Sequence, residues 1–335
     1  MGKKLIDALD AMGMGVLATL IVGTILRQIA TLLGEGFEIL FTIGSFAQVM
    51  MAVGVAIGVA RALESKTVVM YATVVTSMMG AGALRMVDGS IAIAVGDPAA
   101  AFVTALATVM VGSLIAGRTK LDIMLTPLIS LVAGGLVAIF IAPTVTELTG
   151  WIGRLVMTAT TMHPLLMGMI VAVVFCFIIL SPLSSSALAI GLGLYGIAGG
   201  AALAGTTASM VGYAVISYKD NGIGGLISQG IGTSKIQFGN FVKNPATFIP
   251  TMVVSLITGP LSTVVFRIET NSLGAGMGTS GLVGQIQTVY VMGIEALWMI
   301  VVVQVALPIV LGFFIWKFMY KKGWIRDGDL VLPKG

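Results

Sequence analysis

The chain has 335 residues, 57% of them hydrophobic and 10% charged, with a formal net charge of +4 and a mean hydropathy of +1.07. A soluble domain carries about 25% charged residues, so this composition excludes an ordinary soluble enzyme. Basic residues gather at loop edges and at the two ends, a topology pattern and not a nucleic-acid surface. Apolar runs long enough to cross a hydrocarbon core of about 30 Å recur, and the alternation of a β-barrel is absent. The fold class read from this is an all-α polytopic membrane protein with about 8–10 transmembrane helices.

The opening MGKKLIDALDAMGMG has no small-residue cleavage site, so the first apolar run is read as retained. Ile6 stands where a myristoylation signal has Ser or Thr. Apolar segments fall at about 12–33, 39–60, 67–84, 97–117, 121–143, 164–181, 187–217, 246–266 and 289–316. With Lys3 and Lys4 in the cytoplasm, Arg61 and Lys66 lie inside after two crossings, and Arg118 and Lys120 after four. Segment 121–143 then leads out to a loop holding Glu147, Trp151 and Arg154, and 164–181 returns.

His163, the only histidine, precedes that returning run in Thr160-Thr161-Met162-His163-Pro164. It reads either as a helix cap or as a partner for a polyol, since imidazole both donates and accepts. Cys176, the single cysteine, sits within the run and excludes an intramolecular disulfide; no Cys/His pattern suggests a metal. Ser184-Ser185-Ser186 either cap a helix or line a pathway.

Segment 187–217 breaks the charge rule. A single crossing would place Lys219, Lys235, Lys243 and the closing Lys317, Lys321, Lys322 and Arg326 outside. A re-entrant path through its glycines would keep them all inside, and one long tilted helix is the other reading. Residues 218–245 are polar and glycine-rich, yet too apolar in places for a solvent loop, and Asp220-Asn221-Gly222 reads as a turn. Within them Gly230-Ile-Gly232-Thr233-Ser234 matches Gly276-Met-Gly278-Thr279-Ser280, either by chance or as two similar turns that each end a half-helix.

The second copy lies in GAGMGTSGLVGQIQT, residues 274–288. Gly276 to Gly281 spell GxGxxG, but no strand precedes them and the next acid, Glu295, comes too early for a dinucleotide fold. Two readings fit the glycines: a tight helix interface, or a broken helix whose backbone faces a polar cavity. The cavity also accounts for Thr279, Ser280, Gln285 and Gln287 beside them. Just upstream, Phe266-Arg267-Ile268-Glu269-Thr270-Asn271 reads either as an interfacial anchor pair or as a site where Glu269 and Asn271 accept substrate hydroxyls. There is no Walker motif and no GxSxG elbow.

Three stretches carry a family resemblance: SPLSSSALAI from 181 to 190, SYKDNGIGGLISQGIGTSKIQFGNFVKNP from 217 to 245, and ITGPLSTVVFRIETNSLGAGMGTSGLVGQIQT from 257 to 288. They resemble the membrane-embedded EIIC component of bacterial phosphoenolpyruvate:sugar phosphotransferase systems. In particular they are similar to the group that occurs as a lone membrane chain and includes PfoR-type regulators. The charge pattern on the re-entrant path puts both termini in the cytoplasm, and the resemblance implies one EIIC-like domain in a bacterial plasma membrane. It implies re-entrant hairpins and a homodimer, with about 1–160 as scaffold, about 161–290 carrying the solute in an elevator movement, and 291–335 as final helix and tail.

The candidate solute contacts are Glu269, Asn271, Thr279, Ser280, Gln285 and His163; no cofactor, metal or nucleic acid is expected. The chain has neither an EIIA nor an EIIB domain, so it is not itself an enzyme, and any phosphate would come from separate EIIA and EIIB proteins. The alternatives are a sensor that kept the fold, or a carrier of a non-sugar solute that works without phosphorylation.

Overall fold

The structure is a computed structural model that describes residues 2–87, 90–118 and 121–333; Lys120 and the side chain of Lys3 lie outside it. Contacts divide the chain into two compact units, Met1–Thr149 and Gly150–Lys334. Six helical runs are long and apolar enough to cross a membrane: Lys4–Thr31, Pro98–Ile115, Asp122–Val145, Gly196–Ile216, Pro245–Val265 and Ile294–Lys321. A pair bent by 50° makes a seventh, and Thr67–Gly80 and Pro164–Leu180 are shorter apolar helices. The chain is thus a multi-pass, all-α membrane protein, as its composition requires.

In the first unit, helix α1 (Gly2–Val16) continues through a π-helical turn at Leu17–Ile21 into α2 (Val22–Leu33). Helices α3 (Glu38–Val49) and α4 (Met51–Ala62) are the bent pair. Small residues let these backbones touch. Gly15 meets Gly54, Gly23 meets Gly44 and Ala11 meets Gly58, an antiparallel register in which any larger side chain would clash. Helices α5 (Thr67–Gly80), α6 (Pro98–Ile115) and α7 (Asp122–Phe140) complete the bundle. Buried hydroxyls link them, as where Thr76 Oγ1 meets Thr108 Oγ1 at 2.8 Å. Asp97 accepts the Ala100 N–H at 2.8 Å and caps α6, whose first residue is Pro98.

Two elements depart from the sequence expectation. A hairpin of β1 (Leu84–Val87) and β2 (Ser90–Ile93) lies between α5 and α6. An Asp-Gly pair at positions 88 and 89 is a hairpin signal, but a short one beside the longer apolar runs. Residues 142–160, expected to hold a loop, form helix α8 (Ala142–Thr160), on which Glu147, Trp151 and Arg154 are exposed. A helix with an exposed indole and charges suits a membrane surface, where Trp and Arg partition well.

The second unit is built around α11 (Gly196–Ile216), which is buried along nearly its whole length. Its run of Gly, Ala, Ser and Thr suits that place, because only small residues let several helices reach one axis. Against it pack α9 (Pro164–Leu180), α14 (Ile249–Pro260) and α18 (Leu307–Lys321). Segment 187–217 is therefore not one continuous helix. The short helix α10 (Ser185–Gly191) ends at a break over 192–195, and α11 then runs long enough to cross.

The polar stretch after α11 forms α12 (Tyr218–Ile227), kinked at Gly222 where φ is 60°, and then α13 (Phe238–Lys243). Its amides hold the end of the chain. Asn221 donates to the Leu330 carbonyl and accepts the Leu332 N–H, both at 2.8 Å. Gln237 donates to the Leu330 carbonyl at 3.0 Å, and Asn240 to that of Val331 at 2.8 Å. Asn244 donates to the Trp324 carbonyl at 3.0 Å. Ile325 and Leu330 enter a core with Leu180, Tyr213, Ile216 and Met319. This explains a segment too polar for a span and too apolar for a loop: it is a cradle for the tail.

Lys219 and Asp327 add an exposed ion pair at 2.5 Å. Bonds from Lys219 and then Tyr320 hold the Asp327 carboxyl below the usual carboxylate range, and the bond to Asp327 raises Lys219. The depressed acid contributes above its unfolded value of about 3.9 and loses that contribution as pH falls through its folded value. The raised lysine contributes below about 10.4 and loses it as pH rises further. The protection of the amides of residues 324–332, taken against the intrinsic exchange rate at each pH, should therefore fall slightly on acidification below about pH 4 and stay flat from pH 5 to 8. The effect is small because water screens the pair.

Candidate functional site

The repeated Gly-X-Gly-Thr-Ser sequence produces two turns that meet. In the first, a π-helical turn over Ser228–Gly232 ends at extended Thr233, and a 3-10 turn begins at Ser234. In the second, helix α15 (Ser272–Met277) ends at Gly278, and a 3-10 turn begins at Ser280 before α16 (Val283–Met292). Gly278 and Gly281 have φ of 57° and 53°, which a side chain would strain. Ser280 Oγ donates to the Gly232 carbonyl at 2.8 Å and joins the two copies tip to tip.

Both turns rest on the middle of α11. Ser234 Oγ meets Ser209 Oγ at 2.9 Å, and Thr279 Oγ1 lies 3.6 Å from Met210 Sδ. Ser185 Oγ donates to the Gly276 carbonyl at 2.7 Å. A Cβ on Gly276 would come within 2.5 Å of the Ser185 carbonyl oxygen. The glycines of this stretch thus serve close packing as well as the turn. Residues 181–185, 206–210, 232–235 and 276–280 converge there.

Lys235 departs from its expected place among surface topology charges. It is only 5% exposed, and its ammonium donates to the carbonyls of Ser181 and, at 2.7 Å, Leu183. Carbonyls released where α9 ends give a buried cation somewhere to bond. Its position directly after the repeated motif was the signal in the sequence.

The six candidates fall into four groups. Thr279 and Ser280 lie at the crossing, both buried. Asn271 caps α15 by accepting the Gly274 N–H at 3.0 Å, and it donates to Gln287 Oε1 at 2.6 Å. Next to it the Glu269 N–H points to Met292 Sδ at 3.0 Å. Among the described residues no hydrogen bond or ion pair holds the Glu269 carboxylate, and no ion pair joins it to Arg267. Arg267 itself has φ of 48°, a strained backbone for a side chain and a common mark of functional segments.

The chain around Glu269 is held from the other side by α11. Thr270 N–H donates to the Gly196 carbonyl at 3.3 Å, and Gly199 and Gly200 leave room for the carbonyls of Thr270 and Ile268. Gln285 donates to Gln304 Oε1 on the final span at 2.7 Å. Gln304 escaped sequence reasoning because a single amide in an apolar run carries no motif. His163 stands apart. It is an exposed cap on α9 whose Nδ1 accepts the Leu165 N–H at 3.4 Å, with no hydrogen bond to the other five. Ser184 likewise caps α10, by accepting the Ala187 N–H at 3.2 Å.

No curated protein and no solved structure matches the chain. The family model described as phosphotransferase system, EIIC, matches residues 6–332. That range takes in both units, the two meeting turns and the docked tail. EIIC proteins are the membrane components of phosphotransferase-type transporters and work with EIIA and EIIB partners. On a match of that extent, the chain belongs to the phosphotransferase system EIIC family.

Proposed function

We propose that this EIIC protein binds and carries a small, neutral, hydroxylated solute of the sugar type in its Gly150–Lys334 unit, beside the two meeting turns. The observation that carries the reading is the Ser280–Gly232 bond between two matching helix breaks. Broken helices expose backbone donors and acceptors at membrane depth, the groups a polyol needs. Glu269 supplies a carboxylate acceptor with no partner among the described residues, Asn271 lies two positions along, and Thr279, Ser280 and Gln285 follow in the glycine-broken stretch. His163 joins them only if the solute reaches the cap of α9.

The first 160 or so residues act as a scaffold and dimer interface, and the part from 161 to 290 moves with the solute in an elevator fashion. The final helix and tail follow. Both termini face the cytoplasm of a bacterial cell, and separate EIIA and EIIB proteins bring the phosphoryl group.

The test is thermal stabilisation of the detergent-solubilised protein by a panel of sugars, polyols, sugar phosphates, ascorbate and small organic acids. One neutral sugar or polyol should raise the Tm. Glu269→Gln removes a charged acceptor, worth about 1–3 kcal/mol, and should weaken that solute roughly 10- to 100-fold. An unchanged affinity removes Glu269 from the site. Stabilisation by an organic acid alone would replace the sugar reading with that of an anion carrier.

A further inference from the structure

The final span contains a π-helical turn at Val301–Ala306, and Gln304 lies in it. Turns of this kind add a residue without breaking the helix and gather at functional positions. Gln304 is 1% exposed. Its Oε1 accepts from Gln285 Nε2 at 2.7 Å, which leaves Gln285 Oε1 and Gln304 Nε2 buried with no hydrogen-bond partner. Two facing amides can give each oxygen and each nitrogen a partner by forming two bonds; this pair forms one. Turning both amides over exchanges the atoms and leaves the same remainder, one orphaned acceptor and one orphaned donor.

Orphaned buried amide atoms are uncommon and destabilise a fold. Here two of them sit on bonded partners, and one partner, Gln285, follows the glycine break of the proposed site. A hydroxyl is the simplest group that completes both, since it donates and accepts through one oxygen.

We propose that Gln285 and Gln304 form a recognition pair for one hydroxyl of the transported solute. The hydroxyl donates to Gln285 Oε1 and accepts from Gln304 Nε2. Gln304 is then a specificity-determining residue supplied by the last span. This rests on the hydroxylated-solute reading above and adds the residue that distinguishes a solute from its deoxy analogue. A site built to bond a hydroxyl rejects the analogue that lacks it, because the buried amides are left unpaired.

The experiment compares wild type, Gln304→Met and the double variant Gln285→Met/Gln304→Met, as full chains in detergent. The probes are the neutral hexoses and hexitols of the panel and the monodeoxy analogues of whichever one binds. Wild type should bind the parent about 10-fold or more tightly than one particular monodeoxy analogue. In Gln304→Met that preference should disappear while preferences at the other positions persist. Without solute, the double variant should melt at or above the wild-type temperature, since it removes two unsatisfied atoms.

An equal loss for the parent and every analogue, or a double variant that melts several degrees lower, marks the pair as a structural link between helices and overturns the proposal. Unchanged binding in the double variant overturns it as well. If no solute in the panel shifts wild type, the hydroxylated-solute reading falls instead. The Tm of the solute-free double variant still separates a strained pair, where it does not fall, from a satisfied link, where it does.

Discussion

Gly205→Leu should prevent the Gly150–Lys334 unit from forming, and even Gly205→Ala should lower its melting temperature sharply. A Cβ at this position would fall well inside contact distance of the Ala172 carbonyl and Cα, which belong to the backbone of α9 and have no rotamer to adjust. Four residues earlier on α9, Gly168 packs on Gly259 of α14 in the same manner, backbone on backbone. Helices α9, α11 and α14 are thus in contact through main chain, and a shift at one crossing is carried to the others. Overpacking a well-filled core costs about 1–3 kcal/mol. Displacing a central helix from two neighbours belongs at or above the top of that range, where single substitutions are exceptional. Fluorescence-detected size exclusion would read the leucine variant as aggregated, and a thermal scan would grade the alanine one. A Gly205→Ala protein as stable as wild type would mean that α9 and α11 can part without loss.

Ending the chain after Lys322 should be nearly as severe, although it removes few residues. It deletes Ile325 and Leu330, both buried, from the core around Tyr213 and Ile216. Each such side chain contributes about 1.5–3 kcal/mol by burial. It also removes the tail partners of Asn221, Gln237 and Asn240, each of which keeps another bond, and each lost bond costs about 0.5–1.5 kcal/mol. The expected result is a loss of several kcal/mol, seen as a lower Tm and as new proteolytic cleavage within 217–245. Replacing Lys219 alone should do little, because its pair with Asp327 is exposed. A truncated protein with unchanged Tm and protease resistance would show that the cradle holds its shape without the tail. A merely regulatory tail would have left the unit's stability intact.

Much of this architecture was legible because membrane helices advertise themselves. Nearly every apolar segment marked in the sequence corresponds to a helix within a few residues, since a span needs a continuous apolar length and little else. Glycine-rich breaks were legible for a similar reason. Positions such as Gly222 and Gly278 need φ values that other residues avoid. The repeated Gly-X-Gly-Thr-Ser was also visible as a pattern, and the structure turns each copy into a helix end followed by a 3-10 turn. Helix α8 and the β1–β2 hairpin were missed because amphipathic surface helices and short strands have weak signals beside long apolar runs.

The sequence by itself determined the class of protein, the approximate spans, the two glycine turns and, through the motifs between 181 and 288, the EIIC family. Those properties depend on composition and on local backbone preference, which act over a few residues. Only the tertiary structure decided that the two turns touch through Ser280 and Gly232, that Lys235 is buried against the end of α9, that Gln304 meets Gln285, and that 218–245 cradles the tail. Each of these joins groups far apart in the chain. A single amide or lysine carries no local mark of its partner, because a hydrogen bond is set by where the packed helices place its two ends.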